Sequence, residues 1–323
     1  MLLALVSFPS RLSLSQQQPC RSNYLPRCII AFKDVRKPLN RITRPQILPS
    51  TFGDAFGFRV FVLSDLHTDY PENLKWDRFQ HVFYVPGNHD LWCRWEQDHC
   101  LDSLEKLNKL LDACRGLGVE TKPMAIEGLG IIPLFSWYHE SFDREQDITG
   151  IRIPSLEMAC KDFRACKWPQ ELSSRDTSLA LYFDAMNEEN EDKIKARALS
   201  REEDAILSKP PKIIGSDCLE VRIRSIHGTK GNASACHVFG HTHFCWDAML
   251  DGIRYVQAPL AYPRERKRRM NGGETWLPFC IYSDGNFADR LSPCYWSDYY
   301  AANPRAPHNT ELAPWVARFY NRL

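Results

Sequence analysis

Short apolar runs, each closed by turn residues, recur along this chain and predict an alternation of strands and helices. Phe58-Arg-Val-Phe-Val-Leu-Ser64 is an aromatic and β-branched run, which predicts a buried strand. His81-Val-Phe-Tyr-Val85 predicts a second strand, and the polar and aromatic stretch from Pro71 to Phe79 reads as a short helix between them. From Leu101 to Leu117, Leu104, Leu107, Leu110, Leu111 and Cys114 recur at helical spacing, and Gly116 and Gly118 end the helix. Gly130 to Phe135 predicts a further strand. Asp176 to Leu207 reads as helix, broken near Asn187-Glu-Glu-Asn-Glu-Asp192 by a solvated acidic turn. Cys218 to Ile226 is amphipathic. Cys236–Phe239, Arg254–Ala258 and Phe279–Tyr282 predict three more strands. Strands alternating with helices imply an α/β layered domain, and there are no internal repeats.

Composition narrows the partners. The 323 residues carry 41 Lys+Arg against 40 Asp+Glu, a net charge of +1. That balance removes a global nucleic-acid footprint and leaves room for a local basic patch. No apolar run approaches the roughly 18–20 residues of a spanning helix, which argues against a membrane protein. Twelve cysteines occur with no CxxC pair, the pattern of thiols in a reducing compartment rather than of a zinc knuckle.

The N-terminus changes the domain picture. Residues 1–33 contain no Asp or Glu. They hold Ser7, Ser10, Ser13, Ser15 and Ser22 with Arg11, Arg21, Arg27 and Lys33, the composition of an organelle transit peptide. Leu2 to Phe8 is apolar, as in a secretory signal, yet the run is short, lacks a preceding basic region and stops at Pro9. The reading assigns residues 1–50 to a transit peptide and linker, 51–290 to the globular domain, and 291–323 to an aromatic extension packed on it. The destination read from this composition is the chloroplast, with the mitochondrion as the alternative.

Three motifs carry chemistry, each just after a predicted strand: Asp65-Leu-His67, Gly87-Asn-His-Asp90 and Gly240-His-Thr-His243. Functional groups of open α/β sheets collect at the carboxyl ends of strands. Asp-x-His and His-x-His each place two donors within reach of one divalent ion at about 2.0–2.2 Å. Asn88 offers a neutral carbonyl oxygen, and His89 beside it is left to act as a proton donor. Mixed oxygen and nitrogen donors suit Mn, Fe or Zn better than Mg or Ca.

Together these motifs resemble the calcineurin-like metallophosphoesterase superfamily, over roughly Phe58 to Tyr282. The resemblance implies an α/β fold, a metallophosphoesterase-type sandwich of two mixed β-sheets flanked by helices. It implies a hydrolase that activates water with two divalent metals to cleave phosphomonoesters or phosphodiesters of small or nucleotide-like molecules. Asp65, His67 and His243 would bind the first metal, Asn88 and His241 the second, and His89 would protonate the leaving group. Pro86 and Asp90 stand where protein Ser/Thr phosphatases of the superfamily carry Arg and Glu, so a protein phosphatase is disfavoured.

The chain departs from the family pattern at two of its five ligand blocks. The Gly-Asp-x-x-Asp block, expected on its own strand between Asp65 and Gly87, is absent; Asp69 and Asp77 lack its context. A strand ending in a lone histidine, expected between Asn88 and Gly240, is also absent; His139 and His227 fit poorly. In-frame loss of two exons, with joints near Trp76/Asp77 and Leu207/Lys209, accounts for both gaps. The domain is thus predicted to be two strands short, with a metal complement of one or none. A second class of function follows: a catalytically impaired binding module that contacts nucleic acid through the basic run Arg264, Arg266, Lys267, Arg268 and Arg269. The same run can instead steer a substrate phosphate, through Arg264 and Arg266.

Overall fold

The computed structural model describes residues 58–65, 79–93, 100–147, 149–150, 152–188, 213–226, 235–266, 277–291, 294–304, 306 and 308–311, with the backbone of Leu2–Ser7 and Ile30–Phe32. Eleven strands are described: β1 (Leu2–Ser7), β2 (Ile30–Phe32), β3 (Arg59–Val62), β4 (Val82–Phe83), β5 (Met124–Ile126), β6 (Leu129–Leu134), β7 (Ala235–Phe239), β8 (Trp246–Leu250), β9 (Ile253–Gln257), β10 (Phe279–Ser283) and β11 (Asn286–Phe287). The helices are α1 (Ser103–Leu117), α2 (Leu156–Ala159), α3 (Asp162–Ala165), α4 (Ser178–Ala185), α5 (Asp217–Ser225), α6 (Pro263–Arg266) and α7 (Tyr295–Ala302). This is the α/β architecture the pattern predicts, and the runs around Phe61, Val82, Ile131, Val238, Val256 and Ile281 all form strands.

The strands make two sheets, one of six in the order β5-β6-β1-β7-β9-β8 and one of five in the order β11-β10-β3-β2-β4. The larger sheet is mixed, with β7 and β9 parallel and its other ladders antiparallel. Alternation along each strand sets which face is buried where. Leu129, Ile131, Cys236, Val238 and Val256 of the larger sheet meet Val60, Val62 and Ile281 of the smaller one in a common core. Ile132, Leu134, Ile253 and Tyr255 face the other way and pack with Ile223 of α5. Burial on both faces explains why β6 is apolar almost throughout.

The two strands judged missing have their places filled. β2 lies between β3 and β4 in the smaller sheet. β1 lies between β6 and β7 in the larger one, antiparallel to both, with Leu5 opposite Ile131 and Cys236. Both inserts come from residues 1–50, the stretch read as transit peptide and linker. They satisfy the backbone groups that open gaps would expose. Their sequences, Leu-Leu-Ala-Leu-Val-Ser and Ile-Ala-Phe, bring no carboxylate or imidazole with them.

Local chemistry explains the other elements. Asp102 caps α1 by accepting from the N–H groups of Leu104 and Glu105 at 2.9 and 2.8 Å, and Gly118 ends it at φ 68°. The acidic turn is corrected at its first residue. Asn187 is buried, and its amide pairs with both backbone groups of Phe135 at 2.9 Å, tying α4 to the end of β6. The continuation predicted to Leu207 lies outside the described residues, as do the helix read from Pro71 and His227. In the aromatic extension, α7 packs on β8, with the Trp246 and Tyr300 rings 5.9 Å apart. Among the described residues no helix is long and apolar enough to cross a membrane.

Candidate active site

The two sheets join at one edge. Beyond β3, the Ser64 N–H donates to the Ala258 carbonyl at 2.9 Å, and Leu260 and Ala261 donate back to Ser64 and Asp65 at 2.8 and 2.9 Å. This parallel bridge carries Asp65 across to the ends of β7 and β9. The Asp65 carboxylate accepts from the backbone N–H of His241, from the Ser64 hydroxyl at 2.8 Å and from the Gln257 amide at 3.0 Å. A Cβ at Gly240 would stand 3.1 Å from the same carboxylate, so a side chain there would press on Asp65 and glycine is favoured. Asp65, His241 and His243 all adopt left-handed backbone, with φ of 51°, 89° and 60°. Such strain in non-glycine residues collects at functional sites.

The motif residues meet through a closed circuit of contacts. His243 Nε2 faces Asp65 Oδ1 at 3.9 Å. The His243 ring lies 5.2 Å from that of Tyr262, whose hydroxyl is 3.4 Å from His89 Nε2. His89 stacks on Trp92 at 3.7 Å, and the Trp92 indole donates to Asp162 at 2.6 Å. Tyr138 donates to Asp162 at 3.0 Å and stacks on His241 at 5.5 Å, and His241 returns to Asp65. Asp65, His89, His241 and His243 therefore lie on one chain of contacts, and Asn88 joins it through Asp162. His67 lies outside the described residues.

Each donor is oriented from behind. His243 Nδ1 donates to Glu265 at 2.9 Å, which leaves Nε2 as the nitrogen facing Asp65. His241 Nε2 donates to the Ile213 carbonyl at 3.0 Å, which places its lone pair on Nδ1. A carboxylate only accepts, so the nitrogen of the Asn88 amide must face Asp162, at 2.9 and 3.0 Å. Its carbonyl oxygen is turned away.

Burial pulls His243 down, but the bond to Glu265 and the charge of Asp65 outweigh it and hold His243 above its ordinary value. Burial opposes ionisation of Glu265 as well, and the bond to His243 wins, keeping that carboxyl low. Burial holds His241 below its ordinary value.

These donors are of the right kind for a divalent metal: a carboxylate and an amide oxygen with two imidazoles. Two bonds of about 2.1 Å would span the 3.9 Å gap between Asp65 and His243. The number of donors is the weakness. Among the described residues, no group of three or more His, Cys, Asp or Glu converges to hold an ion. His139 does not supply the missing ligand; its ring bonds Ser141 at 2.8 Å and faces Asp217 at 3.8 Å.

Two residues of the site escaped the sequence reading. Asp162 sits in a stretch with no periodic signal. Glu265 was hidden inside a run read for its arginines, where an acid among bases was the available clue. Of those arginines, Arg264 lies over the Tyr262 ring at 5.5 Å and Arg266 closes the short helix α6. Lys267, Arg268 and Arg269 lie outside the described residues.

The fold is an α/β one of two sheets with carboxylate, amide and imidazole residues at its strand ends, and the chain is similar in sequence to a known phosphodiesterase. No family model matches the chain. Over 268 residues, 76% of this chain and 77% of the relative, it is 26% identical to the acyl-carrier-protein phosphodiesterase PptH of Mycobacterium tuberculosis. The crystal structure of phosphopantetheinyl hydrolase (PptH) from that organism aligns with a TM-score of 0.40 at 22% identity, over 59% of this chain and 73% of that one. The sequence similarity supports a phosphoester hydrolase.

Proposed function

We propose that this chain is a metal-dependent phosphodiesterase of reduced metal affinity, acting at the site built from Asp65, Asn88, His89, His241 and His243. The observation that carries the reading is the orientation of the donors: Glu265 behind His243, Ile213 behind His241 and Asp162 behind Asn88. Metal-ligating side chains are characteristically held from behind in this way. Asp65 and His243, with His67 from outside the described residues, would hold one ion, and Asn88 and His241 are too few to hold a second firmly. A bound divalent ion would polarise the phosphoester and lower the pKa of a water.

The chain's own residues supply the rest. His89 lies against Trp92 and Tyr262 and would give a proton to the leaving oxygen. Lys161 stands over Trp92 at 4.8 Å and Arg264 over Tyr262 at 5.5 Å, so each aromatic ring beside His89 carries a cation that would attract an anionic substrate. This position favours phosphate steering by Arg264 over a separate nucleic-acid loop.

A phosphodiester joined to a carrier protein is the substrate suggested by the name of the similar mycobacterial enzyme, in preference to a free nucleotide. A chloroplast destination belongs to the same proposal only with residues 1–33 retained rather than cleaved, since β1 and β2 lie within the sheets. The test is release of the prosthetic group from a phosphopantetheinylated carrier protein with Mn²⁺, beside bis-(p-nitrophenyl) phosphate. Turnover that is abolished by chelation and falls about 100-fold in His89→Asn supports the reading. Unchanged turnover in that variant refutes the role of His89.

The impaired-module reading draws on one specific observation. Both oxygens of Asp65 already accept protein hydrogen bonds, which weakens the carboxylate as a ligand.

A further inference from the structure

We infer that Asp162 is the positioning residue of this site, setting the Asn88 amide directly and the His89 and His241 rings at one remove; the inference rests on the phosphoesterase reading above. Asp162 begins the four-residue helix α3, 74 positions along the chain from Asn88, and is 2% exposed. Its carboxylate accepts from Asn88 Nδ2 on both oxygens, from Trp92 Nε1 at 2.6 Å and from the Tyr138 hydroxyl at 3.0 Å. Each of these donors leads into the site.

Asn88 is the clearest case. An amide can present either end to a neutral partner, but a carboxylate admits only its nitrogen. Asp162 therefore dictates that Oδ1, the atom the metal would use, points away from it. Trp92, fixed by the same carboxylate, stacks on His89 at 3.7 Å and so sets the plane of the proton donor. Tyr138, fixed likewise, stacks on His241 at 5.5 Å. Glu265, by contrast, serves His243. A buried carboxylate whose donors lead to three site residues does more than fill hydrogen-bonding capacity in the core.

Asp162→Asn tests this in the full-length chain, because it keeps the shape and removes the compulsion to accept. Free Mn²⁺ is followed by electron paramagnetic resonance as protein is titrated, and folding by thermal melting. The expected result is a dissociation constant for Mn²⁺ raised about 10–100-fold in a folded variant. A merely structural role would lower the melting temperature and leave Mn²⁺ binding unchanged, which overturns the inference while sparing the phosphoesterase reading.

A second measurement needs no variant. The side-chain NH₂ of Asn88 in the wild-type chain is expected to exchange with solvent slowly in ¹H–¹⁵N spectra. Exchange as fast as that of a surface amide overturns the positioning role. A wild-type chain that binds no Mn²⁺ overturns the phosphoesterase reading, and the amide measurement still judges Asp162.

Discussion

His237 is expected to make this protein acid-sensitive. It lies on β7, 2% exposed, between the rings of Phe239 and Tyr255 at 6.2 and 5.4 Å. Its Nδ1 has no hydrogen-bond partner among the described residues. Burial pushes its pKa down to about 3, against an ordinary value of 6.5. A histidine held neutral by the fold stabilises it fully above the unfolded value. That stability is lost as the pH falls from about 6.5 toward 3. At pH 5 the unfolded state is favoured by about 1.5 pH units of proton binding, or about 2 kcal/mol at 1.36 kcal/mol per unit. For a domain of this size that corresponds to a fall of about 4–8 °C in melting temperature. The assay compares melts at pH 7.5 and pH 5.0 for the wild type and for His237→Phe. Any packing offset of the phenylalanine is the same at both pH values and cancels in the difference. The wild type should lose about 2 kcal/mol more than the variant on acidification. Parallel pH profiles would show that His237 is hydrated or partnered in solution and would refute the reasoning.

Three further outcomes follow from particular contacts. Arg254 and Asp247 form a buried bidentate pair at 2.9 and 2.6 Å, and Leu291 N–H adds to Asp247 at 2.6 Å. Asp247→Ala should cost about 3–5 kcal/mol in a urea titration, because it strands the guanidinium; a loss below about 1 kcal/mol would contradict the pairing. Gly240→Ala should cost about 1–3 kcal/mol as the Asp65 carboxylate is displaced, with a matching loss of Mn²⁺ affinity. Deleting residues 1–33 removes β1 and β2, which lie between β6 and β7 and between β3 and β4. Amides of β6 and β7 should then lose their protection from hydrogen exchange, whereas retained protection would show that β1 is dispensable.

The parts of this molecule legible in sequence are those with a local cause. Val60, Val62, Ile131, Val238 and Val256 lie in strands that apolar runs announce, and α1 carries its cap, period and terminal glycine in sequence. Three motifs placed Asp65, Asn88, His89, His241 and His243 at strand ends, and the structure gathers them into one circuit of contacts. What escaped depends on distance. Asp162 meets Asn88 across 74 positions, and no local pattern marks it. Asn187 looks like part of a solvated acidic turn until Phe135 is seen beneath it. The filling of both sheet gaps by residues 2–7 and 30–32 was not legible either, because an apolar run such as Leu-Leu-Ala-Leu-Val reads equally as leader or as strand. The two absent ligand blocks read in sequence as two absent strands, whereas Leu2–Ser7 pairs between β6 and β7 and Ile30–Phe32 between β3 and β4.

The count and affinity of bound divalent metal test the central claim most directly. Elemental analysis of the full-length chain, followed by Mn²⁺ titration of the chelated protein, should give no more than one ion per chain, held weakly, with slow hydrolysis of bis-(p-nitrophenyl) phosphate. His243→Ala should remove that binding. Two tightly held ions with rapid turnover would contradict the account, since they would require ligands beyond Asp65, His67, Asn88, His241 and His243.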